Sequence, residues 1–134
     1  MKSIIVKSSR GNYPIFVGPG ILPRTGAFLQ QSGARGKVMI VTQPKIAAHY
    51  LKAFVKSCRS KGFTVAVHEV LDGEEAKTEK ELYRLYRALL DKDFERRDWL
   101  VALGGGTVGD LTGFAAASFL RGISWANLAT TLLA

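Results

Sequence analysis

Cysteine is almost missing from these 134 residues: Cys58 stands alone, which excludes an intrachain disulfide and suits a reducing, cytoplasmic setting. Long apolar runs are missing too. No stretch approaches the roughly 18 residues of a membrane span. Met1 to Val6 carries a charge but lacks the apolar centre of a secretory signal. Histidine is scarce. His49 and His68 have no partner at metal-ligand spacing, and no Ser-His-Asp or Cys-His arrangement accompanies them. Both are assigned no role, and His68, in a strand, is expected to face outward. Acidic residues are outnumbered, 11 against 19 Lys and Arg, for a net charge of +8. The basic residues are scattered over helix faces without a dense run or interleaved aromatics, which describes solvated faces better than a nucleic-acid site. Linkers, internal repeats and low-complexity segments are absent. With 47% hydrophobic and 22% charged residues, the composition is that of one globular domain burying about two-thirds of its unfolded surface.

The most informative stretch is Leu100-Val-Ala-Leu-Gly104-Gly105-Gly106-Thr107-Val108-Gly109-Asp110-Leu111. It predicts a buried strand, a glycine turn and the first turn of a helix. Gly104, Gly106 and Gly109 stand at G-x-G-x-x-G spacing. Such glycines permit positive φ and let a ligand approach the backbone. The helix they open points free N–H groups at that ligand, which makes a phosphate the natural guest. Two features depart from the usual dinucleotide fingerprint. Earlier strands precede the motif, and no acidic residue follows about twenty positions later to hold a ribose.

In chain order, Ser3–Lys7 and Tyr13–Val17 predict a hairpin, with Pro14 marking an edge. A short helix over 22–31 follows. Lys37–Thr42, with Val38, Met39, Ile40 and Val41 in succession, predicts a strand buried on both faces. Ile46, Ala47, Tyr50, Leu51, Phe54, Val55 and Cys58 recur at helical spacing, and Gly62 caps that helix. Residues 63–71 predict a strand. Asp72–Lys77 is a polar loop, after which Thr78 and Glu81 predict a capping box. Leu82, Leu85, Tyr86, Leu89 and Leu90 trace a helical stripe. A charged turn leads to the strand 99–103, and Leu111, Phe114, Ala115, Ser118 and Phe119 form the apolar set of the glycine helix. Residues 124–129 predict a last strand. The segment 130–134 reads as the start of a further helix, and hence as a chain cut short. The alternation predicts an α/β, Rossmann-like parallel sheet with helices on both faces and an N-terminal β-hairpin, over a single domain, 1–134.

In such sheets ligands collect beyond the carboxyl ends of the strands. Thr42-Gln43, Asp72–Lys77, Gly104–Asp110 and Thr130-Thr131 all fall there. Asp72, Glu74, Glu75 and Lys77 read equally well as ligand-holding groups or as a solvated loop. Asp110 reads equally as a ligand acceptor or a helix first-turn acid. Arg121, near a helix end, complements the dipole, and Cys58 is a small core residue.

Together these residues resemble a known family. Ala102–Ala117, then Leu120-Arg121-Gly122, then Thr130–Ala134, with Asp72-Gly-Glu-Glu-Ala-Lys77 ahead of them, closely resemble 3-dehydroquinate synthase. The resemblance implies an NAD-binding domain followed by a helical domain that carries a divalent metal, zinc or cobalt. That second domain and its catalytic and metal-binding residues are not among these 134. It implies conversion of the sugar-acid phosphate DAHP to 3-dehydroquinate with loss of phosphate, in the shikimate pathway. Asp72, Glu74, Lys77, Gly105, Gly106, Thr107, Asp110, Thr130 and Thr131 would contact NAD. Arg121 would reach a substrate phosphate across a homodimer interface. Neither nucleic acid nor membrane is an implied partner, and the chain alone would not catalyse. Four positions depart from the family pattern: Gln43-Pro44 stand where Asp and Asn are usual, Thr107 replaces an aliphatic residue, and Ala129 replaces a proline. Other sugar-phosphate cyclases, a polyol dehydrogenase of the iron-dependent alcohol dehydrogenase group, and a non-catalytic nucleotide-binding module are the alternatives.

Overall fold

The structure, a computed structural model, describes all residues, Met1–Ala134. Strands β1 (Lys2–Val6) and β2 (Tyr13–Val17) pair antiparallel, with Ile4 opposite Ile15. A 3-10 turn (Leu22–Arg24) leads into helix α1 (Thr25–Gln31). Then come β3 (Lys37–Thr42), α2 (Pro44–Ser60), β4 (Thr64–Glu69), a 3-10 turn (Gly73–Ala76) and α3 (Glu79–Asp91). The chain continues through β5 (Trp99–Gly104), α4 (Gly106–Ser118), a 3-10 turn (Phe119–Arg121) and β6 (Ser124–Ala129). The four later strands form one parallel sheet in the order β4-β3-β5-β6.

Period-two alternation in the two central strands divides the core. Met39, Val41, Leu100 and Ala102 face α3 and α4, where they meet Leu85, Leu89, Leu111 and Ala115. Val38, Ile40, Val101 and Leu103 face the other way, onto Leu29 of α1 and Phe54 and Cys58 of α2. Helices therefore cover both faces, as the alternation predicted. Burial pushes the Cys58 thiol up to about 12, so it stays a neutral core group. Helices α1 and α2 approach closely at Gly26, whose missing Cβ would lie 2.3 Å from the Ser57 carbonyl oxygen. Its N–H also donates to Ser57 Oγ at 2.9 Å.

Several expectations need correction. Leu90 and Phe114 fall on apolar stripes yet are 60% and 62% exposed, because each lies just beyond the stripe its helix turns to the sheet. The capping box is half made. Thr78 Oγ1 accepts from the Glu81 N–H at 3.2 Å, but the Thr78 N–H already donates to the Ala76 carbonyl. The Glu81 carboxylate, 2% exposed, instead accepts from the Leu71 N–H and pairs with Arg84 at 2.6 Å. His68 is half-buried, not outward. It shares parity with Ala66, which packs on the α3–α4 core, and its Nε2 is buried without a partner. Residues 73–76 form a 3-10 turn within the expected loop. Residues 130–134 form a turn closed by Ala134 N–H to Thr131 O at 3.4 Å, with no helix.

Candidate functional site

The connection from β3 moves outward to β4, while α3 crosses back to β5 and α4 continues to β6. The strand order thus reverses between β3 and β5, and ligands of open α/β sheets bind at the carboxyl ends beside such a reversal. Thr42 and Gly104 end those two strands. The glycine turn therefore sits at the place the topology favours.

Local packing explains the glycines, and not in the way expected. None of Gly104, Gly105, Gly106 or Gly109 takes a positive φ. Gly104 and Gly105 serve close approach instead. A Cβ on Gly104 would lie 2.8 Å from Val108 Cγ2, and one on Gly105 would lie 3.1 Å from the Thr131 side chain. At Gly106 the nearest atom to an added Cβ is the Leu133 carbonyl oxygen at 3.6 Å, ordinary contact. Helix α4 has neither a side-chain cap nor an acidic residue in its first turn, so its leading N–H groups are unspent.

Around this turn the structure gathers most of the candidate residues. Lys77 Nζ lies 2.9 Å from Asp110 Oδ2 and 3.4 Å from Glu74 Oε2. Thr107 Oγ1 donates to Glu74 Oε1 at 3.0 Å. The 3-10 turn after β4 is thereby tied to the first turns of α4. Hydrogen bonds to Asp110 and Glu74 hold the exposed Lys77 ammonium above its ordinary range, so it is charged at neutral pH. Asp72 stands apart from this network and accepts from the Lys45 N–H at 3.4 Å. Thr130 donates its N–H to the Gly104 carbonyl at 2.9 Å, and its buried Oγ1 has no partner. Thr131 is exposed and covers Gly105.

Arg121 is not part of this group. It follows the far end of α4, whose 13 residues span about 20 Å, and it is exposed with φ 64°. Gln43, which the sequence placed at the carboxyl end of β3 without a role, shapes the site. Gln43, 8% exposed, donates from Nε2 to the Leu71 carbonyl at 2.7 Å and the Gly73 carbonyl at 3.2 Å. It anchors the segment that bears Asp72, Glu74 and Lys77. No three His, Cys, Asp or Glu side chains converge as metal ligands.

Residues 67–134, half the chain, match the family described as 3-dehydroquinate synthase N-terminal. The 3-dehydroquinate synthase of Pelotomaculum thermopropionicum is 42% identical over 134 residues, all of this chain and 36% of that protein. That of Desulforamulus reducens is 39% identical over 134 residues, all of this chain and 37% of that protein. The chain spans about a third of the length of such relatives. Among solved structures, 2-deoxy-scyllo-inosose synthase complexed with carbaglucose-6-phosphate, NAD+ and Co2+ superposes with a TM-score of 0.80 at 22% identity. The match covers 96% of this chain and 35% of that one. The 2-epi-5-epi-valiolone synthase of Streptomyces hygroscopicus subsp. jinggangensis, with NAD+ and Zn2+ bound, gives 0.77 at 20% identity over 98% of this chain and 35% of that one. Glycerol dehydrogenase of Schizosaccharomyces pombe gives 0.69 at 17% identity over 82% and 26%. At these identities the likeness is one of fold.

Proposed function

This chain belongs to the 3-dehydroquinate synthase N-terminal family, and on that premise we propose that residues 1–134 are the NAD-binding domain of a 3-dehydroquinate synthase. One observation carries the proposal. A glycine turn with free helix N–H groups lies at the β3–β5 reversal, beside Glu74, Lys77, Thr107 and Asp110 linked across two elements.

The residues fit the cofactor. The leading N–H groups of α4 would take the pyrophosphate, with no side-chain cap and no first-turn acid to displace. Gly105 and Gly106 would let it reach the backbone. Asp72, Glu74 and Asp110 would accept from ribose hydroxyls or the carboxamide. Lys77, whose charge is secured by its two carboxylate partners, would orient those acids and complement phosphate. The buried Thr130 hydroxyl has a hydrogen bond to give, and Thr131 would close over the turn. Bound NAD supplies hydride exchange with a secondary hydroxyl of the substrate.

In the whole enzyme the reaction would be conversion of DAHP to 3-dehydroquinate with loss of phosphate, in the cytoplasm. The divalent metal, zinc or cobalt, would be held by the helical second domain that the family resemblance implies. Arg121 would serve the substrate phosphate of the other subunit in a homodimer. Its distance from the glycine turn and its exposure support a role outside its own nucleotide site.

Gly106→Val is the direct test, because an added Cβ meets no more than ordinary contact in the free protein, the Leu133 carbonyl oxygen at 3.6 Å. By calorimetric titration, this variant is expected to bind NAD at least tenfold more weakly while its melting temperature stays close to that of the parent. Equal NAD affinity in the two proteins would overturn the cofactor assignment.

A further inference from the structure

Helix α2 carries Lys45, Lys52, Lys56 and Arg59 and not one acid. All four cations are exposed and none takes part in an ion pair; the pairs that form use Lys77, Arg84 and Arg97. Arg59, in the last turn, complements the helix dipole. Lys52 and Lys56 have no such use. They stand four residues apart in mid-helix, where like charges are neighbours and repel.

These two lysines border an open hollow of 720 Å³ lined by α2 alone, with no residue of the glycine turn or of the Asp72–Lys77 segment in it. Its walls are two adjacent rows at four-residue spacing. One row, Ala47, Leu51 and Val55, is apolar and half-buried, and Leu51 and Val55 pack on the core beneath α2. The other row is Lys52 and Lys56, and Arg59 closes the end. With no second element opposite, the hollow cannot enclose a small molecule. A groove between rows of this spacing is instead the shape that receives a ridge of another helix. On the edge strand β4, Val67 shares parity with Val65, which packs on the same core, yet Val67 is 38% exposed. Apolar surface therefore lies open on this side of the sheet.

We propose that this face of α2 docks an acidic amphipathic helix of another protein. Its apolar residues fill the row of Leu51 and Val55, and its carboxylates pair with Lys52, Lys56 and Arg59. Lys52 to Arg59 spans about 10 Å of helix, so acids at the same spacing on a facing helix meet the three cations together. A second copy of this chain does not supply them. It carries a net charge of +8, and its α3 turns Lys80, Arg84 and Arg87 outward. A membrane surface is flat and leaves a concave floor uncovered, and the hollow has no aromatic ring on which a nucleic-acid base would stack. Recognition is of the helix-in-groove kind, with anchors one turn apart. Charge pairs at such a rim set specificity and the speed of encounter while adding little affinity each. The complex is therefore transient and weakens as salt rises. None of this depends on NAD binding.

The test uses a designed probe, an alanine-based peptide of roughly 18 residues, long enough to form a helix in isolation. It carries leucines at four-residue spacing with glutamates flanking them, and its binding is followed by fluorescence anisotropy and NMR. The probe is expected to shift the amides of residues 47–60 and to lose affinity as salt is raised. Lys52→Glu combined with Lys56→Glu should weaken it about tenfold, whereas Lys52→Arg with Lys56→Arg keeps affinity within about twofold. Both variants should melt close to the parent, since the two lysines are exposed. A second probe, with serines for its leucines, should bind about tenfold more weakly, a difference that charge attraction alone does not produce. Equal binding of the two probes, equal affinity in the Glu variant, or no binding of the leucine probe would overturn the proposal. Tighter binding of single-stranded RNA or of phosphatidylserine vesicles, lost in the same Glu variant, would overturn it as well by giving this face to nucleic acid or to a membrane.

Discussion

Gln43 spends its carboxamide on the backbone of the segment that follows β4. In the family pattern an acid stands at this position. Here the amide is turned inward, and its contribution is to hold the Asp72–Lys77 segment in place. Gln43→Leu would leave the Leu71 and Gly73 carbonyls without this donor in a nearly buried spot. That change is expected to cost roughly 1–3 kcal/mol in urea unfolding. Hydrogen exchange should rise at residues 71–77 well beyond the global change, and NAD binding should fall with it. A uniform rise in exchange across the sheet would count against so local a role. The partners of such residues were hard to see in advance. Gln43 and Asp98 are buried by backbone groups distant in sequence. Asp98, 2% exposed, accepts from the N–H groups of Lys37, 61 residues away, and of Glu95.

The helices and strands were legible because their periods are local properties. Ser124–Ala129 and Tyr13–Val17 form as read, and β5 extends one residue past expectation to Gly104. What periodicity misjudged was the width of each buried stripe, at Leu90 and Phe114. Close packing between elements left a weaker trace. Gly26 looks like an ordinary glycine at a helix start, yet α1 and α2 touch there. Gly26→Ala would drive a Cβ into the Ser57 backbone. It is expected to destabilise by about 1–3 kcal/mol, at the upper end because backbone cannot rotate aside as a side chain can. A chemical denaturation midpoint no lower than the parent's would show that the helix pair yields more easily than its geometry implies. The glycine turn shows the same limit. Its spacing marked the place, but none of its glycines takes left-handed backbone, and tight neighbours stand only against Gly104 and Gly105.

At the scale of the molecule, stability should depend on pH through His68. Burial lowers its pKa from the ordinary histidine value, Arg84 on α3 adds to that shift, and Glu81 opposes it. The neutral imidazole is therefore the form the fold prefers. Its contribution is fully present above about pH 6.5 and is lost as the pH falls through the lowered folded value. The melting temperature is expected to drop between pH 7.5 and pH 5.5, and His68→Gln should flatten that dependence. His49, the other histidine, is exposed. An unchanged slope in the variant would assign the effect to other groups.

The sequence by itself determined the alternation of strands and helices, the position of the glycine turn, and the family to which the chain belongs. The first two are written in short-range spacing, where the period of the backbone is the physics required, and the family is carried by the resemblance of the motifs. Tertiary structure decided the rest. It placed β3 beside β5 so that the turn falls at the reversal of the sheet. It drew Glu74, Lys77, Thr107 and Asp110 together from two elements, while α4 set Arg121 at its opposite end. These outcomes depend on which faces of the sheet each helix covers, and hence on burial summed over residues far apart in the chain, which no local pattern encodes.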